Sequence, residues 1–248
     1  MSPTLPAPGP ADIGLVVALP IEVAPLLVRL ENSRKYRGVG QAIIEGEIQG
    51  RVLAIALTGP GRLAASRGTR TLLDGHRPRW VISAGFAGAL NPQFRRGDLA
   101  VPVEIVDELG GRIALDVKHP DSGPDAPRSG RLLTVDRIIR TAGEKAELHA
   151  KSGADLVDME TWAVAELCGH RGVRFLSVRI VSDDARTDLP PEILNILGKT
   201  GGYRVGAAVG ALWKRPSSFF DLMTLREHAH QAADKLGHAL IGMLPRLS

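Results

Sequence analysis

Residues Ile13 to Leu19 read IGLVVAL, an unbroken apolar run closed by Pro20. The run is too short for a helix that is apolar all round. It shows no alternation that would give one face to water, so it predicts a strand buried on both faces. Such a strand needs cover above and below. The chain supplies it, because strand-length apolar runs at 80–83, 156–159 and 175–182 alternate with helical patterns at 20–30, about 62–74 and 160–170. The alternation implies an α/β fold: a three-layer sandwich with a central mixed, mostly parallel β-sheet flanked by helices.

Between these elements, 42–48 and 51–57 read as a hairpin turning at Gln49-Gly50, and 99–106 reads as extended. The glycine-rich stretch Ala84 to Ala89 reads as a corner, and the polar run His119 to Gly130 as a surface loop. Residues 132–150 begin extended and become helical, and two helices close the chain at 191–213 and 218–244. In the last helix Phe219, Leu222, Ala229, Ala233, Leu236, Leu240 and Met243 keep helical spacing, with Arg226 as the one polar interruption. The Pro-rich residues 1–11 read as a disordered tail, and 12–248 as a single domain.

Composition excludes several functions. At 4% aromatic residues the chain lacks the exposed rings of a single-strand stacking platform. The net charge of +4 is mild and the arginines are scattered, so no nucleic-acid partner is expected; anionic substrates and a membrane surface stay open. The single cysteine, Cys168, excludes an internal disulfide and lies in an apolar stretch that reads as core. His228 and His230, two apart on a helix, face different ways, and no metal or other cofactor is expected. Neither a signal peptide nor a membrane span is recognisable, which makes the cytoplasm the expected compartment.

Gly59-Pro60-Gly61-Arg62-Leu63-Ala64 matches the dinucleotide fingerprint G-x-G-x-x-A between a strand and a helix. The following strand ends Val81-Ile82-Ser83-Ala84-Gly85, without the acid that would hold the ribose of such a cofactor. A tight turn, or a helix N-terminus beside a polar ligand, are the other readings of this corner.

Ligands of open α/β sheets bind outside the carboxyl ends of the strands. Three acids fall there: Glu22 after the first strand, Glu160 after the strand at 156–159, and Asp183 at the end of 175–182. Each alone reads equally as a helix cap or a solvated acid. Together they suit chemistry through an oxocarbenium-like sugar cation. One acid protonates the leaving group, one positions water, and one holds sugar hydroxyls.

Several segments carry a more specific likeness. Val17 to Val23 resembles the start of the methylthioadenosine/adenosylhomocysteine nucleosidases, within the nucleoside phosphorylase superfamily. Ile82 to Leu90 resembles their glycine corner and Gly97 to Val101 the strand after it. Val157-Asp158-Met159-Glu160 resembles their ribose motif, and Val178 to Asp183 the strand with the catalytic acid. The match runs in order from about residue 13 to 185. The resemblance implies that Asp183 protonates a purine ring nitrogen, with Ser182 orienting it, and that Glu22 aligns or deprotonates the attacking water. It implies that Glu160 binds ribose hydroxyls over Met159, that Phe86, Ala87 and Gly88 line the site, and that Ile138 and Ile139 hold the base. The partner so implied is a purine nucleoside, and the usual assembly a homodimer.

Two positions depart from the family pattern: Phe86 stands where a small polar residue is common, and Ile138 where an aromatic is common. Phosphorylases collect arginines around phosphate; Arg62 is the candidate here, but the family's phosphate entry is absent and Glu22 stands in its place, so hydrolysis is expected over phosphorolysis. Glu144 to Leu148 and Trp213 to Ser217 also resemble the hopanoid-associated branch, which implies an adenosylated lipid as the alternative substrate. The basic tail of that segment fits peripheral membrane contact, and fits a solvated helix equally. From another class, a non-catalytic nucleoside sensor on the same fold is the alternative.

Overall fold

The opening apolar run forms β1 (Ile13–Val17), and every one of its residues is buried. The structure is a computed structural model describing residues 8–38, 41–117, 126–190 and 217–247. The remaining elements, in chain order, are α1 (Pro20–Leu27), β2 (Glu31–Gly38), β3 (Gln41–Ile48), β4 (Arg51–Leu57), α2 (Arg62–His76) and β5 (Trp80–Ala89). There follow β6 (Leu99–Ala100), β7 (Glu104–Asp107), β8 (Arg112–Ala114), β9 (Arg131–Thr134), α3 (Ala142–Ser152) and β10 (Leu156–Asp158). The chain continues through α4 (Thr161–Arg171), β11 (Arg174–Asp183) and α5 (Ser217–Met243) to a last 3-10 turn, Leu244–Arg246. The helix expected at 191–213 lies outside the described residues.

All the strands join one mixed sheet, ordered β2-β3-β4-β1-β5-β10-β9-β7-β8, with β11 paired to β5 and β6. Parallel ladders make the centre: β1 lies parallel to β4 and β5, and β11 parallel to β5. The β2-β3-β4 meander and the β7-β8 hairpin make the edges antiparallel. The two faces follow the period of two along each strand. Ile13, Leu15 and Val17 join Val23 and Leu26 of α1 and Leu236 and Leu240 of α5 in one core. Val16 and Val81 join Leu72 and Leu73 of α2 and Val164 and Cys168 of α4 in the other. Fully burying one such leucine contributes roughly 2 kcal/mol. Burial also pushes the Cys168 thiol up to about 12, which leaves it unreactive. Among the described residues, no helix is long and apolar enough to cross a membrane.

Three features differ from the sequence reading. First, α1 stops at Leu27 where 20–30 was expected: Arg29 N and Leu30 N donate to the carbonyls three residues back, Leu26 and Leu27, and the chain tightens out of the four-residue ladder. Second, β2 and β8 are edge strands absent from the sequence reading, β2 hidden by its polar composition and β8 by its length of 3 residues. Third, Ala84 to Ala89 is no corner but the second half of β5. The segment read as tail also makes contacts: Ala11 is buried and its N–H donates to the His76 carbonyl at 2.8 Å.

Candidate active site

The second half of β5 meets two of the three expected acids, Glu22 at Phe86 and Asp183 at Gly88. Pro20 starts α1 directly after β1, which puts Glu22 in the first turn. Glu22 Oε2 accepts from Leu19 N at 2.8 Å and Oε1 accepts from Phe86 N at 2.8 Å. The carboxylate therefore caps its own helix and is pinned to β5. Gly85 lies extended within β5 and has no room for a side chain: a Cβ there would lie 2.6 Å from Glu22 Oε1 and 2.8 Å from Arg179 Nη1. Burial raises the proton affinity of Glu22, against the N–H groups of Phe86 and Leu19 and the charge of Arg179.

Glu160 precedes α4 and reaches across to α2. Its Oε1 accepts from Gly61 N at 2.7 Å and its Oε2 from Met159 N at 3.3 Å. Gly61 has φ of 95°, a conformation that suits glycine, at the N-terminus of α2. The Gly59-Pro60-Gly61 corner thus offers its donor to a carboxylate of the same chain, which corrects the dinucleotide reading: the place a cofactor phosphate would take is held by Glu160. Burial, and then the neighbouring Asp158 charge, push Glu160 up to about 8.

Asp183 reaches the site through a bulge. In the β11–β5 ladder Val181 pairs with Ala87 and Asp183 with Gly88, so Ser182 is an extra residue that re-aims the strand end. Asp183 is buried, and a Cβ on Gly88 would lie 3.2 Å from its Oδ2. Its Oδ1 accepts from Ser182 Oγ at 2.6 Å, and that hydroxyl also lies 3.2 Å from the Ala87 carbonyl oxygen. Its Oδ2 makes an ion pair with Lys145 Nζ at 2.6 Å. Asp184 is no second acid in this arrangement: its Oδ1 accepts from Arg96 N at 2.7 Å and orders the loop.

Arg179 lies beneath two of the acids, its charge acting on both Glu22 and Glu160. It is buried, ion-pairs with Asp158 Oδ2 at 2.9 Å, donates to Ser83 Oγ at 2.6 Å and donates to Thr161 Oγ1. Asp158 Oδ1 accepts from Thr134 Oγ1 at 2.7 Å, which fixes β10 to β9. Arg179 had a sequence signal, a charge within an otherwise apolar strand. Lys145 had none, because its surroundings read as solvated helix. Ile138 is half-buried, while Ile139 packs its side chain into a core with Val135 and Val157. Only the backbone of Ile139 is thereby left to face a ligand.

The raised carboxylates set a pH dependence of stability. Below its ordinary value of 4.5 each group is protonated in both folded and unfolded chains, and its stabilising effect is fully present. That effect is lost as pH rises through the folded value, which for Glu160 is about 8. Glu160→Gln is expected to flatten the decline in melting temperature of the ligand-free protein between about pH 5 and 8.5. Melting scans at fixed ionic strength check this; equal slopes for variant and parent would contradict it.

The chain belongs to the phosphorylase superfamily, whose family model matches residues 12–129 and 118–200. One relative is the 5′-methylthioadenosine/S-adenosylhomocysteine nucleosidase of Shewanella sp. strain MR-7, 25% identical over 214 residues, 76% of this chain and 91% of that protein. Among solved structures, the Neisseria meningitidis enzyme of the same name, in complex with methylthio-immucillin-A, shares the fold at a TM-score of 0.72. Its identity is 19%, over 94% of this chain and 98% of that one. The native futalosine hydrolase of Helicobacter pylori shares it at a TM-score of 0.71, with 17% identity over 94% and 97% of the two chains.

Proposed function

We propose that this protein is a purine nucleosidase that hydrolyses the N-glycosidic bond of a 5′-modified adenosine and releases adenine. The observation that carries the reading is that Glu22 and Asp183 both meet the second half of β5, at Phe86 and Gly88, while Glu160, held by the Gly61 and Met159 N–H groups, lies near enough to Glu22 for their charges to interact. In this reading Asp183 gives its proton to N7 of the purine. The C1′–N9 bond then breaks with its electron pair leaving on the base. Glu22 takes a proton from water as the oxygen adds to C1′; its raised proton affinity suits a base that must hold that proton. Glu160 accepts from the sugar hydroxyls, which favours the ionised form that burial opposes.

Water is favoured over phosphate by the state of Arg62. Its guanidinium donates to the Thr134 carbonyl at 2.7 Å and faces Asp136 at 3.2 Å and Asp107 at 3.9 Å. Two carboxylates already occupy the cation that a phosphate would need. The 5′-modified substrate class follows the names of the curated relatives. Residues 213–216, which suggested an adenosylated lipid, lie outside the described residues.

The test is to incubate the protein with methylthioadenosine, adenosylhomocysteine, inosine and an adenosine bearing an apolar 5′ group, with and without phosphate, and to quantify free base by chromatography. Adenine release indifferent to phosphate is expected. Phosphate-dependent release would make the protein a phosphorylase, and tight binding without release a sensor.

A further inference from the structure

Lys145 is the one buried residue of α3, and its side chain is fully inaccessible. A buried ammonium carries a desolvation cost of several kcal/mol unless each of its donors is used. Here two donate to carbonyls of one short segment, Asp184 at 2.7 Å and Thr187 at 2.9 Å, and the charge is met on the same segment by Asp183 Oδ2 in an ion pair at 2.6 Å. The same segment is tied to the first turn of α3. Asp188 Oδ1 accepts from Ala142 N at 2.7 Å, and the Leu189 carbonyl accepts from the Arg140 guanidinium at 3.1 Å. A capping box holds that turn: Glu144 N donates to Thr141 Oγ1 at 3.2 Å and Thr141 N donates to Glu144 Oε2 at 3.0 Å. Ile138 and Ile139 lead directly into it.

We propose that Lys145 is the positioning residue of Asp183: its ammonium fixes the carboxyl against the base-facing segment and supplies the counter-charge left after proton transfer. This role rests on the nucleosidase reading. Asp183 loses its proton to the departing purine and becomes a carboxylate facing Lys145. The proton that water leaves on Glu22 returns to Asp183 through solvent and closes the cycle. A neutral residue of similar size would fill the same space, but it would offer neither the hydrogen bonds to the two carbonyls nor the charge.

The test compares Lys145→Met and Lys145→Arg with the parent, on whichever nucleoside the parent cleaves fastest. The methionine variant is expected to lose about 10²-fold in kcat, the lower end of what a general acid contributes, with KM within about threefold. The arginine variant keeps the charge and is expected to recover at least about tenfold of that loss. Circular dichroism and melting establish that each variant is folded. If the methionine variant does not fold, the arginine variant decides alone: kcat within about tenfold of the parent supports the role and a larger loss overturns it. The role is also overturned if the methionine variant turns over within about threefold of the parent, if KM rises while kcat holds, or if both variants are equally impaired. A parent that frees no base from any nucleoside refutes the nucleosidase reading, and this role with it. An active parent beside an unimpaired methionine variant refutes this role alone.

Discussion

Asp183→Asn is expected to bind its nucleoside and leave it intact, with kcat lower by about 10³-fold, within the range that general acids contribute. The amide has nearly the shape of the carboxyl and still reaches the purine nitrogen with an N–H, but it has no proton of suitable acidity to hand over. Binding should therefore survive within about threefold while turnover collapses, the signature of an interaction realised only in the transition state. Calorimetric titration of the variant with methylthioadenosine, beside steady-state kinetics, separates the two quantities. A variant retaining more than about a tenth of parental kcat would remove Asp183 from the chemistry. The substitution also leaves the Lys145 ammonium facing a neutral amide, so a modest fall in melting temperature should accompany it.

Glu22→Gln is expected to be damaging twice over. The two carboxylate oxygens accept from Leu19 N and Phe86 N, one each. Glutamine has a single acceptor oxygen, so one of those N–H groups must face an NH₂, at a cost of about 1–3 kcal/mol for a buried unsatisfied donor. For a chain of this size each kcal/mol lowers the melting temperature by about 2–4 °C. The variant also has no base to take the water's proton, and kcat should fall by about 10²-fold or more. Loss of activity without loss of stability would mean that the capping hydrogen bonds are not what holds this side chain. Loss of stability without loss of activity would mean that Glu22 is a cap and nothing else.

The layered fold was legible because β1 is apolar on both faces and β10 and β11 are mostly apolar and buried, a pattern that a helix-covered sheet accommodates. The meander edge was less so: β2 is Glu31-Asn32-Ser33-Arg34-Lys35-Tyr36-Arg37-Gly38, which owes its extension to pairing with β3 and has little apolar pattern of its own. The glycines of β5 misled in an instructive way. Gly85 and Gly88 read as a corner because glycine permits turning, yet both are extended and small for lack of room beside Glu22, Arg179, Val157 and Asp183.

Within the site, Glu22 and Asp183 were legible from their places after β1 and at the end of β11, which run parallel to β5, whereas β10 runs antiparallel to β5 and brings Glu160 in by pairing with the last residues of that strand. Arg62 read as the candidate for an anion because its partners, Asp107 and Asp136, lie far along the chain. Lys145 was hidden for the same reason: helical spacing tells which residues share a face but not that the loop after β11 covers that face. Long-range pairing of charges is set by packing, and no local pattern announces it.

The acid at the end of β11 sits one position beyond an unpaired serine, in a ladder that would close equally well without it. Removing a single codon there is expected to preserve the hydrogen-bonded frame and to re-aim the carboxyl. Under the proposed nucleosidase reading, so small a deletion would uncouple binding from proton transfer while leaving the outline of the molecule nearly unchanged.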